Sequence, residues 1–299
     1  AYYVRQGYSM LRWGFEKRWI GEDEKAVNLW NQGKVDQIWT DEADFVVHPP
    51  LGKWMIGLGQ WLFGADNQFG WRFSVAVCGT LSLLMLARIA RRLFSSTLLG
   101  CIAALLLAVD GHHFTHSRTG LLDLFVMFWA LAGFGAVLLD RDQARTRLHR
   151  HLTNGGTPHW RHLPAGWWLR PWRLAAGICF GLSAGVKWSG VFFLAVYAIA
   201  SVLWDLATLR AQGTPHWWAN LFPNGAAAFL TMVPTAILTY LITWTGWFVS
   251  TDAWDRRWGT DNPATWTQSL PHPLTGAANA LRGLWHYHVE AMTFHVGVH

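Results

Sequence analysis

The 299-residue chain is 52% hydrophobic and 14% charged, with 22 Trp and a mean hydropathy of +0.16, whereas a soluble domain carries about 25% charged residues. Long stretches contain no Asp, Glu, Lys or Arg, which excludes an ordinary soluble fold and points to a membrane protein with sizeable polar segments. The net charge of +6 suits basic membrane-protein loops, so no nucleic-acid partner is needed to explain it. Cys78, Cys101 and Cys179 lie in apolar runs without Cys-x-x-Cys spacing, which excludes a disulfide framework, a zinc site or a redox pair. No signal-peptide pattern opens the chain and no terminating pattern closes it, so a segment of a longer protein is expected.

In chain order, residues 2–15 have a helical apolar stripe with Arg5 and Arg12 on the polar side, and 22–44 is acidic and solvated. Residues 51–63 are apolar but too short to span, so both flanking helices are expected to lie on the membrane. Charge-free runs then predict six spans, near 70–90, 95–110, 120–139, 172–187, 189–206 and 226–248. The segment 174–204 would reach roughly 46 Å as one helix against a hydrocarbon core of about 30 Å. A hairpin turning around Gly185–Gly190 fits better, with Gly181, Gly185 and Gly190 permitting the turn and Lys187 reaching the interface.

The expected fold class is an all-α multi-pass membrane protein: an external loop with juxtamembrane helices over 1–69, a bundle over 70–248, and a second external loop with an interfacial helix over 249–299. Arg88, Arg91 and Arg92 follow the first span, and seven Arg occupy 140–173. The positive-inside rule puts these loops in the cytoplasm and 1–53, 110–120, the Lys187 turn and 249–299 outside. Trp160, Trp167, Trp168, Trp172, Trp217 and Trp218 read as the interfacial belt of the cytoplasmic loops.

Chemistry is sought among the charges that remain outside. His48-Pro49-Pro50-Leu51-Gly52-Lys53 heads a surface helix, where exposed amides and an ammonium can seat a phosphate, or where Lys53 simply snorkels. Arg72 follows at the outer mouth of the first span, as a phosphate ligand or an anchor. Asp110, Arg118 and Asp123 belong to the next external loop, with Arg118 placed to pair with Asp123 at the start of a helix. His112, His113 and His116 lack an acid at ligand spacing, and Glu290 among His288, His295 and His299 does not make a His-Glu-x-x-His motif, so no metal is expected. Haem is excluded because none of the six apolar runs contains a His.

The ordered series Tyr3, His48-Pro-Pro-Leu-Gly-Lys53, Phe69-Gly-Trp-Arg72-Phe-Ser74, Asp110-Gly, Ser117-Arg118, Asp123, Lys187-Trp-Ser-Gly190 and Leu284-Trp-His-Tyr-His288 resembles the bacterial, especially actinobacterial, protein O-mannosyltransferases of the GT-C superfamily. The resemblance implies a helical GT-C bundle in the bacterial plasma membrane, active on its outer side. It implies mannose transfer from polyprenyl-phosphate mannose to Ser or Thr of exported proteins, without a cofactor. It assigns acid-base catalysis to an Asp-Glu pair immediately upstream of the tract matching Ala1, and the donor phosphate to Arg72, Lys53, His48 and Lys187, with Asp110, Arg118 and Asp123 ordering the external loop. Another GT-C enzyme with a lipid or glycan acceptor is the alternative. A transporter or lipid-binding protein is a third reading, but it predicts related halves that the sequence does not show.

Overall fold

The computed structural model describes residues 2–297 apart from 22, 23, 158, 160, 165 and 169. Its elements in chain order are α1 (Tyr2–Trp13), β1 (Lys17–Trp19), α2 (Glu24–Asn31), β2 (Trp39–Ala43), α3 (Leu51–Phe63), α4 (Gln68–Phe94), α5 (Thr97–Val109) and α6 (Gly111–His116). There follow α7 (Asp123–Thr153), α8 (Pro171–Val186), α9 (Gly190–Ala211), α10 (Leu221–Thr243), α11 (Thr245–Val249), α12 (Trp258–Asp261), α13 (Thr265–Gln268) and α14 (His272–Val296). Contacts divide the chain into two units, one of Ala1–Val75, Thr119–Leu122 and Thr243–His299, the other of Ala76–Arg118 and Asp123–Ile242.

In the first unit α1 packs on α3. Small residues set the approach: a Cβ on Gly57 would lie 2.8 Å from the Gly7 carbonyl oxygen. The stretch read as solvated contains β2, which pairs antiparallel with β1. Trp39 accounts for the strand, because its ring meets those of Tyr8, Trp13 and Trp19 and aromatic residues favour a half-buried pleated surface. Arg5, expected on the polar side of α1, is buried with its guanidinium 5.4 Å from the Trp19 ring centre. The last helix closes this unit: the Tyr287 hydroxyl accepts from Val46 N at 3.1 Å and donates to Val46 O at 2.7 Å.

The second unit is a helical bundle. Four stretches are long and apolar enough to cross a membrane, Gln68–Phe94, Asp123–Thr153, Gly190–Ala211 and Trp217–Thr243, and α5 is a shorter apolar helix. The helix breaks at Lys187, whose backbone is extended, and resumes at Gly190. Pairs across the break show that the chain folds back: Phe180 stacks on Tyr197 with centroids 5.7 Å apart, and Arg170 reaches Asp205. Gly181 serves packing against α10 rather than the turn, since a Cβ there would meet the backbone of Ala236. A Cβ at Gly133 would sit 2.7 Å from Phe180 Cζ, so that glycine makes room for the ring. Around Phe180 the core consists of Ala136, Val137, Ala176 and Met232.

The basic loop differs most from expectation. Helix α7 continues through its first third, to Thr153. Arg170 and Arg173 are fully buried rather than exposed to cytoplasm or headgroups. Arg170 forms a two-pronged pair with Asp205, and Arg173 donates to Asp205 at 2.7 Å and to Asn224 at 3.0 Å. Asn224 also donates to Asp205 at 2.8 Å, while Asp140 lies 3.4 Å from both Arg170 and Arg173. Trp167 is likewise no belt residue: it is buried with Ala144, Leu148 and Leu209, leaving Trp168, Trp172 and Trp218 exposed. Trp160 lies outside the described residues.

Removing one carboxylate from this network leaves two guanidinium groups with a single buried counter-charge. Asp205→Ala is expected to lower stability by about 3–5 kcal/mol, read as a fall in the midpoint of unfolding of the purified protein. Asp142→Ala, at the more exposed pair with Arg92, should change it by no more than about 1 kcal/mol.

Candidate functional site

The sequence-selected residues fall into two groups. His48, Lys53 and Arg72 belong to the first unit, and Asp110, Arg118, Asp123 and Lys187 to the second.

The prolines before α3 deliver His48 and Lys53 as expected, but Lys53 is turned inward. It is fully buried, its ammonium pairs with the Glu16 carboxylate, and it donates to the His48 carbonyl at 2.7 Å. Burial pulls its pKa below the usual lysine range, opposed by the nearby Glu16 and Asp44 charges. Lys53 is thus buried against Glu16 rather than exposed at the head of a surface helix, and its charge is offset there. Glu16, within Gly14-Phe15-Glu16-Lys17, went unrecognised as its partner. An acid next to an aromatic residue and facing a buried lysine far along the chain leaves no spacing signal.

The His48 ring lies between Tyr3, with centroids 6.1 Å apart, and His295, at 5.9 Å. On α14, His288 and His295 each donate from Nδ1 to the carbonyl four residues earlier, both at 2.6 Å, because a carbonyl can only accept. That leaves Nε2 of each ring for other contacts. Burial pushes the His288 pKa below its ordinary value. Elsewhere in the unit the Tyr8 hydroxyl donates to Asp36 at 2.6 Å, and burial followed by this bond raises its pKa to about 12.

Arg72 stands in the opening turns of α4. Its guanidinium stacks on Trp71 at 4.3 Å and donates to Gln68 at 3.2 Å. A guanidinium is a planar fork of donors whose geometry matches phosphate.

In the second unit Asp123 takes its cation from Lys187, at 2.7 Å, rather than from Arg118. The partner comes from the α8–α9 turn, while the Arg118 guanidinium lies 5.0 Å from the Phe114 ring centre. Asp110 caps α6, its carboxylate accepting from the amides of His112 and His113, a structural task that orders the loop. The His112 and His116 rings lie 4.2 Å apart in a tilted arrangement, but no group of three metal-ligating side chains exists among the described residues. His299 lies outside them.

Several apolar helices long enough to cross a bilayer, joined by polar loops that carry ordered cations, define a multi-pass helical membrane protein. A family model described as dolichyl-phosphate-mannose-protein mannosyltransferase matches residues 47–145. The polyprenol-phosphate-mannose–protein mannosyltransferase of Mycolicibacterium smegmatis is 39% identical over 84% of this chain and 47% of its own length. That of Corynebacterium glutamicum is 34% identical over 84% of this chain and 47% of its own. Among solved structures, the archaeal oligosaccharyltransferase AglB from Archaeoglobus fulgidus aligns with 98% of this chain and 33% of its own, at 15% identity and a TM-score of 0.41. The chain is thus a relative of the polyprenol-phosphate-mannose–protein mannosyltransferases, and it spans about half the length of the curated relatives it matches.

Two measurements check the site. Lys53→Met leaves Glu16 buried without its counter-charge and should cost about 3–5 kcal/mol, much of it recovered in Glu16→Gln/Lys53→Met. Unchanged stability in the single variant would return Lys53 to the list of phosphate ligands. For His288 the folded pKa lies below the unfolded value of 6.5, so the unfolded chain takes up the proton first as pH falls. Stability is then full above that value and is lost on acidification below it, and His288→Gln should make the fall shallower in unfolding measured against pH.

Proposed function

We propose that this chain forms part of an inverting membrane glycosyltransferase that moves mannose from polyprenyl-phosphate mannose to Ser or Thr hydroxyls of exported proteins. The observation that carries the reading is the 39% identity to a protein of that name across 84% of the chain, in agreement with the ordered motif series. By the positive-inside argument, the external loops containing His48, Arg72 and Lys187 face away from the cytoplasm of a bacterial plasma membrane.

The acceptor oxygen attacks the anomeric carbon of mannose while the bond from that carbon to the phosphate oxygen breaks. The hydroxyl proton passes to a carboxylate, the role the resemblance gives to the upstream acidic pair. Negative charge gathers on the departing phosphate, so a pre-set cation lowers the barrier. Arg72 suits this part best among the described cations: Trp71 and Gln68 orient it. The His48 ring offers a hydrogen-bonding group beside the same external segment. Lys187 contributes less net charge, because Asp123 offsets it. Lys53 acts indirectly, fixing α3 to the Glu16 segment.

The test is mannosyl transfer from a labelled polyprenyl-phosphate donor to a Ser/Thr peptide by the full-length membrane enzyme. Arg72→Ala should reduce turnover by about 100-fold or more with membrane insertion intact. Wild-type turnover in a correctly inserted variant would remove Arg72 from the donor site.

A further inference from the structure

Charge is unevenly spread over the second unit. Its segments 88–92, 140–173 and 205–210 hold eleven Arg and three Asp. Two of these acids, Asp140 and Asp205, are buried with Arg170 and Arg173, and the third, Asp142, pairs with Arg92 and Arg141. That leaves Arg88, Arg91, Arg145, Arg150 and Arg210, all exposed and none within ion-pair distance of a carboxylate among the described residues. Contacts between helices gather these five at one end. Arg92, beside Arg88 and Arg91 at the close of α4, reaches Asp142 on α7 at 2.7 Å. Arg145 donates to Thr208 at 3.4 Å, two residues before Arg210 on α9.

Helix rise gives their depth. Measured along α7 from Asp123, Asp142 stands at roughly 29 Å, Arg145 at roughly 33 Å and Arg150 at roughly 40 Å. With Asp123 at one face of a hydrocarbon core about 30 Å thick, in a bilayer of about 40–45 Å, these side chains fall in the opposite headgroup layer or at its outer edge. Arg210 stands at the same level, roughly 30 Å along α9 from Gly190, whose neighbour Lys187 holds Asp123. Trp168, Trp172 and Trp218 are exposed at this end, and tryptophan is the residue type that collects at the boundary of lipid and water. A guanidinium fork matches phosphate oxygens. A zwitterionic headgroup brings its own ammonium toward the same arginines, whereas an anionic one supplies the negative charge that the protein surface lacks here.

We propose that this end of the second unit binds anionic phospholipids of the adjoining leaflet, with Arg88, Arg91 and Arg145 holding headgroup phosphates and the exposed tryptophans seated at glycerol depth. The positive-inside argument makes that leaflet the cytoplasmic one.

The test is lipid selectivity of the full-length protein in nanodiscs of equal parts phosphatidylcholine and phosphatidylglycerol, read by native mass spectrometry of the lipids that stay bound. The wild type should retain phosphatidylglycerol over phosphatidylcholine by about tenfold or more. Arg88→Gln/Arg91→Gln/Arg145→Gln should bring the ratio close to unity, with the unfolding midpoint in phosphatidylcholine alone as in the wild type. Arg118→Gln, at the other end of the unit, should leave the ratio unchanged. Equal retention of the two lipids by the wild type overturns the proposal, and so does a preference that survives the triple substitution. Displacement of phosphatidylglycerol by inorganic phosphate at a comparable concentration makes this a site for free anions, and capture of polyglutamate without any lipid preference makes it a surface for an acidic protein. Either result defeats the lipid assignment. If the triple variant fails to fold, the wild-type ratio and the phosphate competition decide the matter, and neither depends on mannosyl transfer.

Discussion

Asp205 holds the second unit to one arrangement. Its carboxylate accepts from Arg170, Arg173 and Asn224, drawing together both ends of the α8–α9 hairpin and the start of α10. A buried guanidinium without a counter-charge is too costly to tolerate in a low-dielectric bundle. Two arginines, two aspartates and an asparagine therefore admit few alternative registers of these helices. The second ion pair, Lys187 with Asp123, lies where α7 begins and the hairpin turns. Seventeen residues separate Asp123 from Asp140 on α7, roughly 26 Å along its axis, close to the hydrocarbon thickness of about 30 Å. The apolar core around Phe180 occupies the space between these two ionic layers, so the same contacts that fix helix register also confine the hydrophobic slab.

How much of this the sequence displays depends on the range of the interaction. Apolar runs bounded by charge mark where helices form, and α3 is found at Leu51–Phe63, the residues its composition singled out. The break at Lys187 is legible for the same reason, because a charge amid apolar residues needs an exit or a partner. What cannot be read is the choice between those two. Arg161 and Arg173 are the same residue type in the same basic stretch, yet one is exposed and the other fully buried against Asp205. The difference lies in a carboxylate on another helix. Lys53 is a second instance: its local context, a proline-headed helix at a membrane surface, is common to a headgroup anchor, a phosphate ligand and a buried ion pair. Only Glu16, brought to it by the packing of α1 on α3, separates them.

That pairing narrows the electrostatics available to an anionic substrate. Cations counted along the sequence overstate the attraction, because a cation with a buried carboxylate partner contributes a dipole rather than a net charge. Lys53 is of this kind, and Lys187 partly so. The Arg72 guanidinium meets an indole face and an amide oxygen, contacts that fix its orientation, which preorganised electrostatic stabilisation requires.

The Tyr287–Val46 contact has a bearing on biosynthesis. Its partners stand 241 residues apart, and α14 is the last helix described. A ribosome adding about 5–20 residues per second needs roughly 10–50 s to make the intervening chain. For that interval the segment around Phe45 and Val46 has left the ribosome but lacks the Tyr287 hydroxyl that satisfies its backbone amide and carbonyl. The first unit is thus completed only late in synthesis, after the intervening bundle has been made. A product ending before α14 would lack the hydroxyl that pairs with this backbone.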